Sequence, residues 1–131
     1  MMERILIVGH GSIGKRHLRI VRECLPDADI HVLRHQHYTE VPEFADGCFR
    51  NLVDACAFLP QAAIIANPAP FHLDSAIALA EIGCHLLVEK PIAVDPAHAR
   101  ELVGNPKFAE ARRLLEHHSC RSWLIRITTR Q

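Results

Sequence analysis

The chain has 131 residues, 49 % hydrophobic and 23 % charged, the proportions of an ordinary globular domain. Fifteen Lys and Arg balance fifteen Asp and Glu, which argues against a protein built to hold nucleic acid or an anionic membrane, since either needs a basic excess. No apolar run approaches the roughly 20 residues of a spanning helix, and Met1-Met2-Glu3-Arg4 leads straight into an apolar stretch without a signal-peptide layout. One cytoplasmic domain is expected. Cys24, Cys48, Cys56, Cys84 and Cys120 are odd in number and form no CxxC pair, so neither a disulfide framework nor a zinc site is expected, and most should be buried small hydrophobes.

Arg4-Ile5-Leu6-Ile7-Val8 reads as a strand buried on both faces and ending at Gly9. Ile13, His17, Leu18, Val21, Cys24 and Leu25 recur at helical spacing until Pro26-Asp27 stops the helix. Ile30 to Leu33 is a second strand. Residues 35–50 are polar and irregular, with a short strand near Cys48-Phe49. Asn51 caps a helix running to about Phe58, and Ala62 to Ala66 is the next strand. Asn67-Pro68-Ala69-Pro70 is a turn, because proline disfavours helical geometry in the residue before it. A helix from about Phe71 to Ile82 ends at Gly83, His85 to Val88 is a strand, and Asp95-Pro96 opens another helix. Gly104-Asn105-Pro106 is the one strong break late in the chain. Alternating strands and helices predict an α/β fold, a doubly wound parallel sheet with helices on both faces.

Gly9-His10-Gly11-Ser12-Ile13-Gly14 spells GxGxxG between a strand and a helix. The first glycine makes the tight turn, the second lets backbone approach a pyrophosphate, and the third lets helix and strand pack closely. The start of the helix then offers free N–H groups and a positive dipole end to phosphates. A purely structural tight turn is the alternative. Gly9, Gly14 and Lys15 also fit GxxxxGK, but Arg16 stands where a hydroxyl should hold magnesium, which excludes the triphosphatase reading. An NAD site wants an acidic residue about 20 positions on, for the ribose 2′-hydroxyl. Arg34 occupies that place without an acid beside it, favouring NADP, with NAD the other choice. An exposed arginine at a strand end would give the same sequence.

Three features taken together resemble the Gfo/Idh/MocA family of oxidoreductases: the glycine loop followed by His17, the turn Ala66-Asn67-Pro68 with His72 shortly after, and Glu89-Lys90-Pro91 at a strand end. The resemblance covers residues 1 to about 103. It implies that Gly9, Gly11, Ser12, Ile13 and Gly14 line the pyrophosphate and that Asn67, Pro68 and His72 lie along the cofactor. Asn67 stands where Ser or Thr is more usual. Lys90 would be the catalytic lysine beside the nicotinamide, with Glu89 holding Lys90 or the cofactor, and the Lys90–Pro91 bond is a candidate for the cis form. Apart from any family, Lys90 falls just past the carboxyl end of a strand, where open α/β sheets bind ligands and an ammonium can polarise a substrate oxygen.

His31, His35 and His37 cluster and His117-His118 form a pair, but no Cys or carboxylate completes metal-ligand spacing, so surface or turn histidines are expected and no metal. Arg112 to Gln131 carries five arginines against Glu116 alone; the neutral chain and the lack of stacking aromatics beyond Trp123 speak against nucleic acid.

Relatives of this kind continue into a second, sheet-based domain. The expected organisation here is a dinucleotide-binding domain over 1–104 and an off-pattern tail over 105–131, with Trp123 to Thr129 strand-like. A truncated, frame-disrupted or naturally short chain would each fit. The expected activity is hydride transfer to or from a sugar, polyol or related metabolite once a second domain is supplied. The alternative is a non-catalytic nucleotide-binding module, as a homo-oligomer that covers the apolar surface a second domain would have covered.

Overall fold

A computed structural model describes residues 3–34, 38, 40–90 and, beyond these, 96, 97, 100, 104 and 106. His35, His37, the Lys90–Pro91 bond, the Asp95 cap and residues 107–131, with Cys120 and the tail strand, lie outside the described residues.

Five strands and their helices follow in the order expected: β1 (Arg4–Val8), α1 (Ser12–Cys24), β2 (Asp29–Leu33), β3 (Gly47–Phe49), α2 (Leu52–Ala57), β4 (Ala62–Ile65), α3 (His72–Glu81) and β5 (His85–Val88). A single 3₁₀ turn, Ala69–Phe71, leads into α3. All pairings are parallel and the spatial order is β3-β2-β1-β4-β5. The chain winds outward from β1 through β2 to β3, then returns across the sheet to β4 on the other side. The order therefore reverses between β1 and β4, the switch point at which open α/β sheets bind ligands.

The period of two along β1 divides the core. Ile5 and Ile7 pack with Leu18 of α1, Ile30, Val32 and Ile64 on one face. Leu6 and Val8 pack with Ala55 of α2, Leu79 of α3, Ala63 and Ile65 on the other. With helices on both faces, neither set of β1 side chains meets water, which is why the strand reads as an unbroken apolar run.

Local chemistry sets the element ends. The Asn51 side chain accepts from the Asp54 N–H at 2.8 Å and caps α2. At the end of α3, Gly83 takes φ +80°, its N–H bonds Ala80 O and the Cys84 N–H bonds Leu79 O, a Schellman closure. Arg22, in the last turn of α1, donates to Pro26 O, Ala28 O and Phe44 O and pairs with Asp46 at 2.6 Å. It thereby ties the connection before β3 to the helix end, where a cation also suits the dipole.

Three expectations need correction. Among the described residues only Cys84 is buried; Cys48 and Cys56 are half-buried and Cys24 is exposed, because these three lie at the margins of the helix–sheet contacts. Burial pushes the Cys84 thiol up to about 12 and raises Cys48 and Cys56 as well. His31 is neither a surface nor a turn residue: its ring stacks on Phe49 at 4.9 Å and against Phe58 at 4.4 Å. A Cβ on Gly47 would overlap that ring, so glycine at this point of β3 makes room for it. Finally, Gly104 and Pro106, expected to mark a break, both take helical backbone, as do Pro96, Ala97 and Arg100.

Candidate functional site

The carboxyl ends of β1, β2 and β4 open into a cleft of about 890 Å³, within the usual range for a small-molecule site. Its floor is the glycine loop. Gly9 has φ +100°, and a Cβ there would lie 2.8 Å from Ala66 O and Asn67 N. Only glycine permits the loop to lie this close to the turn after β4. A Cβ on Gly14 would strike the Gly9 carbonyl, so this third glycine lets α1 start directly against the loop. Gly11 is different: a Cβ there would meet nothing within 4 Å, and its φ of −77° suits any residue. No contact within the chain requires glycine at that point, and its open side faces the cleft.

The N-terminus of α1 is left bare. Gly11 is its N-cap, no side chain caps it and no acidic residue occupies its first turn. Free N–H groups and the positive end of a 13-residue helix therefore face the cleft beside Ser12 and Ile13.

Of the residues singled out from sequence, Gly9, Gly11, Ser12, Ile13, Arg34, Asn67 and Pro68 line this one cleft. Gly14 lies buried beneath it. His72 is 2 % exposed, and its Nε2 donates to the Asn67 carbonyl at 2.5 Å, holding the turn from behind. Asn67 Nδ2 reaches Ser75 Oγ on α3 at 3.3 Å. Its Oδ1 is buried without a partner among the described residues, on a residue that lines the cleft.

Glu89 and Lys90 follow β5 and are not part of the cleft wall among the described residues. Glu89 Oε1 meets His17 Nε2 of α1 at 2.5 Å, so its partner is His17 and not Lys90. Together with the bond from the Glu89 N–H to Ile65 O, this fixes the end of β5 to both α1 and β4. Lys90 is exposed.

Sequence reasoning missed His10, Tyr38, Arg50 and Phe71 in the cleft wall. The Arg34 guanidinium lies 4.1 Å from the Tyr38 ring centre, a cation–π contact that restrains the side chain and leaves its charge intact. Burial, then the charges of Arg34 and Lys15, hold His10 below its ordinary 6.5. Among the described residues lining the cleft, Arg34 and Arg50 are the only Lys, Arg, Asp or Glu. Among the described residues, no group of three or more His, Cys, Asp and Glu is placed to hold a metal ion, and no helix is long and apolar enough to cross a membrane.

Bare helix N-terminus, open Gly11 and the lack of acids among the described wall residues together suit a phosphate-bearing dinucleotide at the switch point. The sequence comparison agrees: a family model described as an oxidoreductase family with an NAD-binding Rossmann fold matches residues 3–117. The chain belongs to this Gfo/Idh/MocA family. No curated protein matches it by sequence.

Solved structures share the fold. The WlbA dehydrogenase of Bordetella pertussis, in complex with NADH and UDP-GlcNAcA, is 25 % identical with a TM-score of 0.68, over 85 % of this chain and 33 % of that one. UDP-N-acetylglucosamine 3-dehydrogenase of Acidithiobacillus ferrooxidans is 22 % identical with a TM-score of 0.66, over 86 % and 36 %. Scyllo-inositol dehydrogenase of Lactobacillus casei is 22 % identical with a TM-score of 0.65, over 85 % and 34 %. The chain thus spans about a third of the length of these proteins.

Proposed function

We propose that the chain is the cofactor-binding part of an NADP-dependent oxidoreductase that acts on a sugar, polyol or related metabolite. One observation carries the cofactor preference: the wall at the end of β2 presents Arg34, and no carboxylate lines the cleft among the described residues. The sequence from His35 to Thr39 holds no acid either. A free ribose 2′-hydroxyl would have no acidic acceptor there, whereas a 2′-phosphate would meet a guanidinium. The likeness to WlbA, bound to a nucleotide sugar, supports the substrate class.

When bound, a nicotinamide dinucleotide supplies or accepts the hydride. The N–H groups at the start of α1 would receive its pyrophosphate, with Gly11 allowing close approach. Asn67 and Pro68 would form the opposite wall, held by His72 and Ser75. Lys90, beyond β5, would pass a proton to or from the substrate oxygen at the carbon exchanging hydride. The His17–Glu89 tie would keep that end of the strand in place.

A second reading, a nucleotide-binding module without its own chemistry, is supported by the exposure of Lys90 outside the cleft wall. Fluorescence titration of the purified chain with NADPH and NADH tests the first reading, and tighter binding of NADPH is expected. Absence of binding by either at millimolar concentration would remove the dinucleotide assignment, and tighter NADH binding would overturn the NADP preference. Turnover of sugar or polyol substrates, lost in Lys90→Ala with NADPH affinity retained, would exclude the second reading.

A further inference from the structure

Arg34 and Arg50 form an arrangement that the fold would be expected to avoid. β2 and β3 run parallel with Leu33 opposite Phe49, and the ladder continues through a bond from the Arg34 N–H to Phe49 O at 2.9 Å. Arg34 and Arg50 are the residues that immediately follow the two strands, and both line the cleft. Like charges placed opposite one another on adjacent strands repel. Among the described residues, neither guanidinium makes an ion pair or a side-chain hydrogen bond. Both charges act on the Cys48 thiol between them in sequence, drawing down a pKa that burial raises. Among the described residues the Arg34 guanidinium has only the Tyr38 ring as a partner, which does not neutralise it.

Neither aspartate in this part of the chain pairs with Arg34 or Arg50, and Glu40 and Glu43 do not line the cleft. Asp46 holds Arg22 and the Ile30 N–H, and Asp54 bonds with Asn51 at the start of α2. Two uncompensated guanidinium groups at the carboxyl edge of adjacent strands, opening on the same cleft, make a site for a doubly charged oxyanion.

We infer that Arg50 is the second cation of a two-arginine clamp that, with Arg34, grips the 2′-phosphate of NADP. Arg34 comes from the strand on which cofactor choice is ordinarily read; Arg50 comes from its neighbour and reaches the site only through the β2–β3 register. The assignment of the anion rests on the NADP reading above. The clamp itself rests on the pairing of the two arginines. Tyr38 acts as a positioning residue, keeping Arg34 on the cleft side.

The test uses the whole chain, Arg50→Gln and Arg50→Lys, titrated with NADPH, NADH, adenosine 2′,5′-bisphosphate and AMP at fixed ionic strength. A charge-assisted contact at an exposed site predicts that Arg50→Gln weakens NADPH and the bisphosphate about ten-fold. NADH and AMP should change by less than about two-fold, because they lack the group the clamp would hold. Arg50→Lys should recover part of the loss, keeping the charge without the planar fork. The melting temperature of Arg50→Gln should be unchanged or higher, since the substitution removes a like-charge neighbour. If the unaltered chain prefers NADPH and the bisphosphate while Arg50→Gln retains the same ratios, the clamp is wrong and the NADP reading stands. If the unaltered chain binds NADH and AMP as well as their 2′-phosphorylated counterparts, the NADP reading fails and takes the clamp with it.

Discussion

The three glycines of the loop hold their places for different reasons, and alanine substitution should separate them. At Gly9 a Cβ meets two obstacles, the positive φ of +100° and the Ala66–Asn67 peptide at 2.8 Å. Left-handed backbone costs an L residue about 1–2 kcal/mol, and overpacking against backbone that must shift adds about 1–3 kcal/mol. Gly9→Ala should therefore lose about 2–5 kcal/mol, lowering Tm by roughly 10 °C or more for a domain of this size. At Gly11 the added methyl meets no atom within 4 Å and φ is already negative. Gly11→Ala should leave Tm unchanged or raise it slightly, since alanine restricts the unfolded chain and gains about 0.4–1 kcal/mol where the native φ permits. Yet its methyl occupies the space through which backbone approaches a pyrophosphate, so NADPH affinity should fall at least ten-fold. Melting followed by circular dichroism and NADPH fluorescence titration read the two effects separately. Comparable Tm losses in both variants would show that the loop geometry is misread. Unaltered NADPH affinity in Gly11→Ala would place the pyrophosphate elsewhere.

Two further outcomes follow from the supports around the cleft. His72→Phe keeps an aromatic ring in the core but leaves the Asn67 carbonyl without its donor; an unsatisfied buried acceptor costs about 1–3 kcal/mol, and His72→Gln, which retains an N–H donor, should have the higher Tm of the two. Asp46 accepts from the Ile30 N–H and pairs with Arg22, which together outweigh its partial desolvation and hold its carboxyl below the ordinary 3.8. Its folded pKa lies below the unfolded one, so its contribution is complete above about pH 4 and is lost as pH falls through the folded value. Urea midpoints measured from pH 5 downward should show this acid limb in the parent chain and a shallower one in Asp46→Asn.

The sequence revealed most where one physical cause acts on neighbouring residues. Burial on both faces produces the run Ile5 to Val8, and the steric needs of a tight phosphate loop produce GxGxxG; both are local and both were read. The Schellman closure at Gly83 and the Asn51 cap are local too. What escaped notice depends on register and crossing order. Arg50 reaches the cleft because β3 pairs in parallel with β2 over three positions, and three residues of strand leave little periodicity to read. His17 and Glu89 meet because α1 and β5 are brought together at one edge of the sheet, 72 residues apart in the chain. His31 looked like a candidate ligand or a surface residue because its partners, Phe49 and Phe58, come from β3 and the end of α2.

The same distinction bears on how binding and chemistry are divided in the site. Every described residue lining the cleft comes from the stretch between β1 and the 3₁₀ turn after β4. This stretch is tied together by backbone bonds from Gly9 to Leu33, Ala66 to Val8 and Arg34 to Phe49. A dinucleotide bound there would draw on a preorganised set of donors, including the helix N-terminus, and none of the described lining residues comes from β5. Lys90 lies just past the end of β5, its approach fixed through Glu89 by His17 and the Ile65 carbonyl. Loosening that tie should displace the lysine without disturbing the glycine loop. On the proposed reading, cofactor affinity and proton transfer would be separable: His17→Ala should leave NADPH binding nearly unchanged, even where it displaces Lys90.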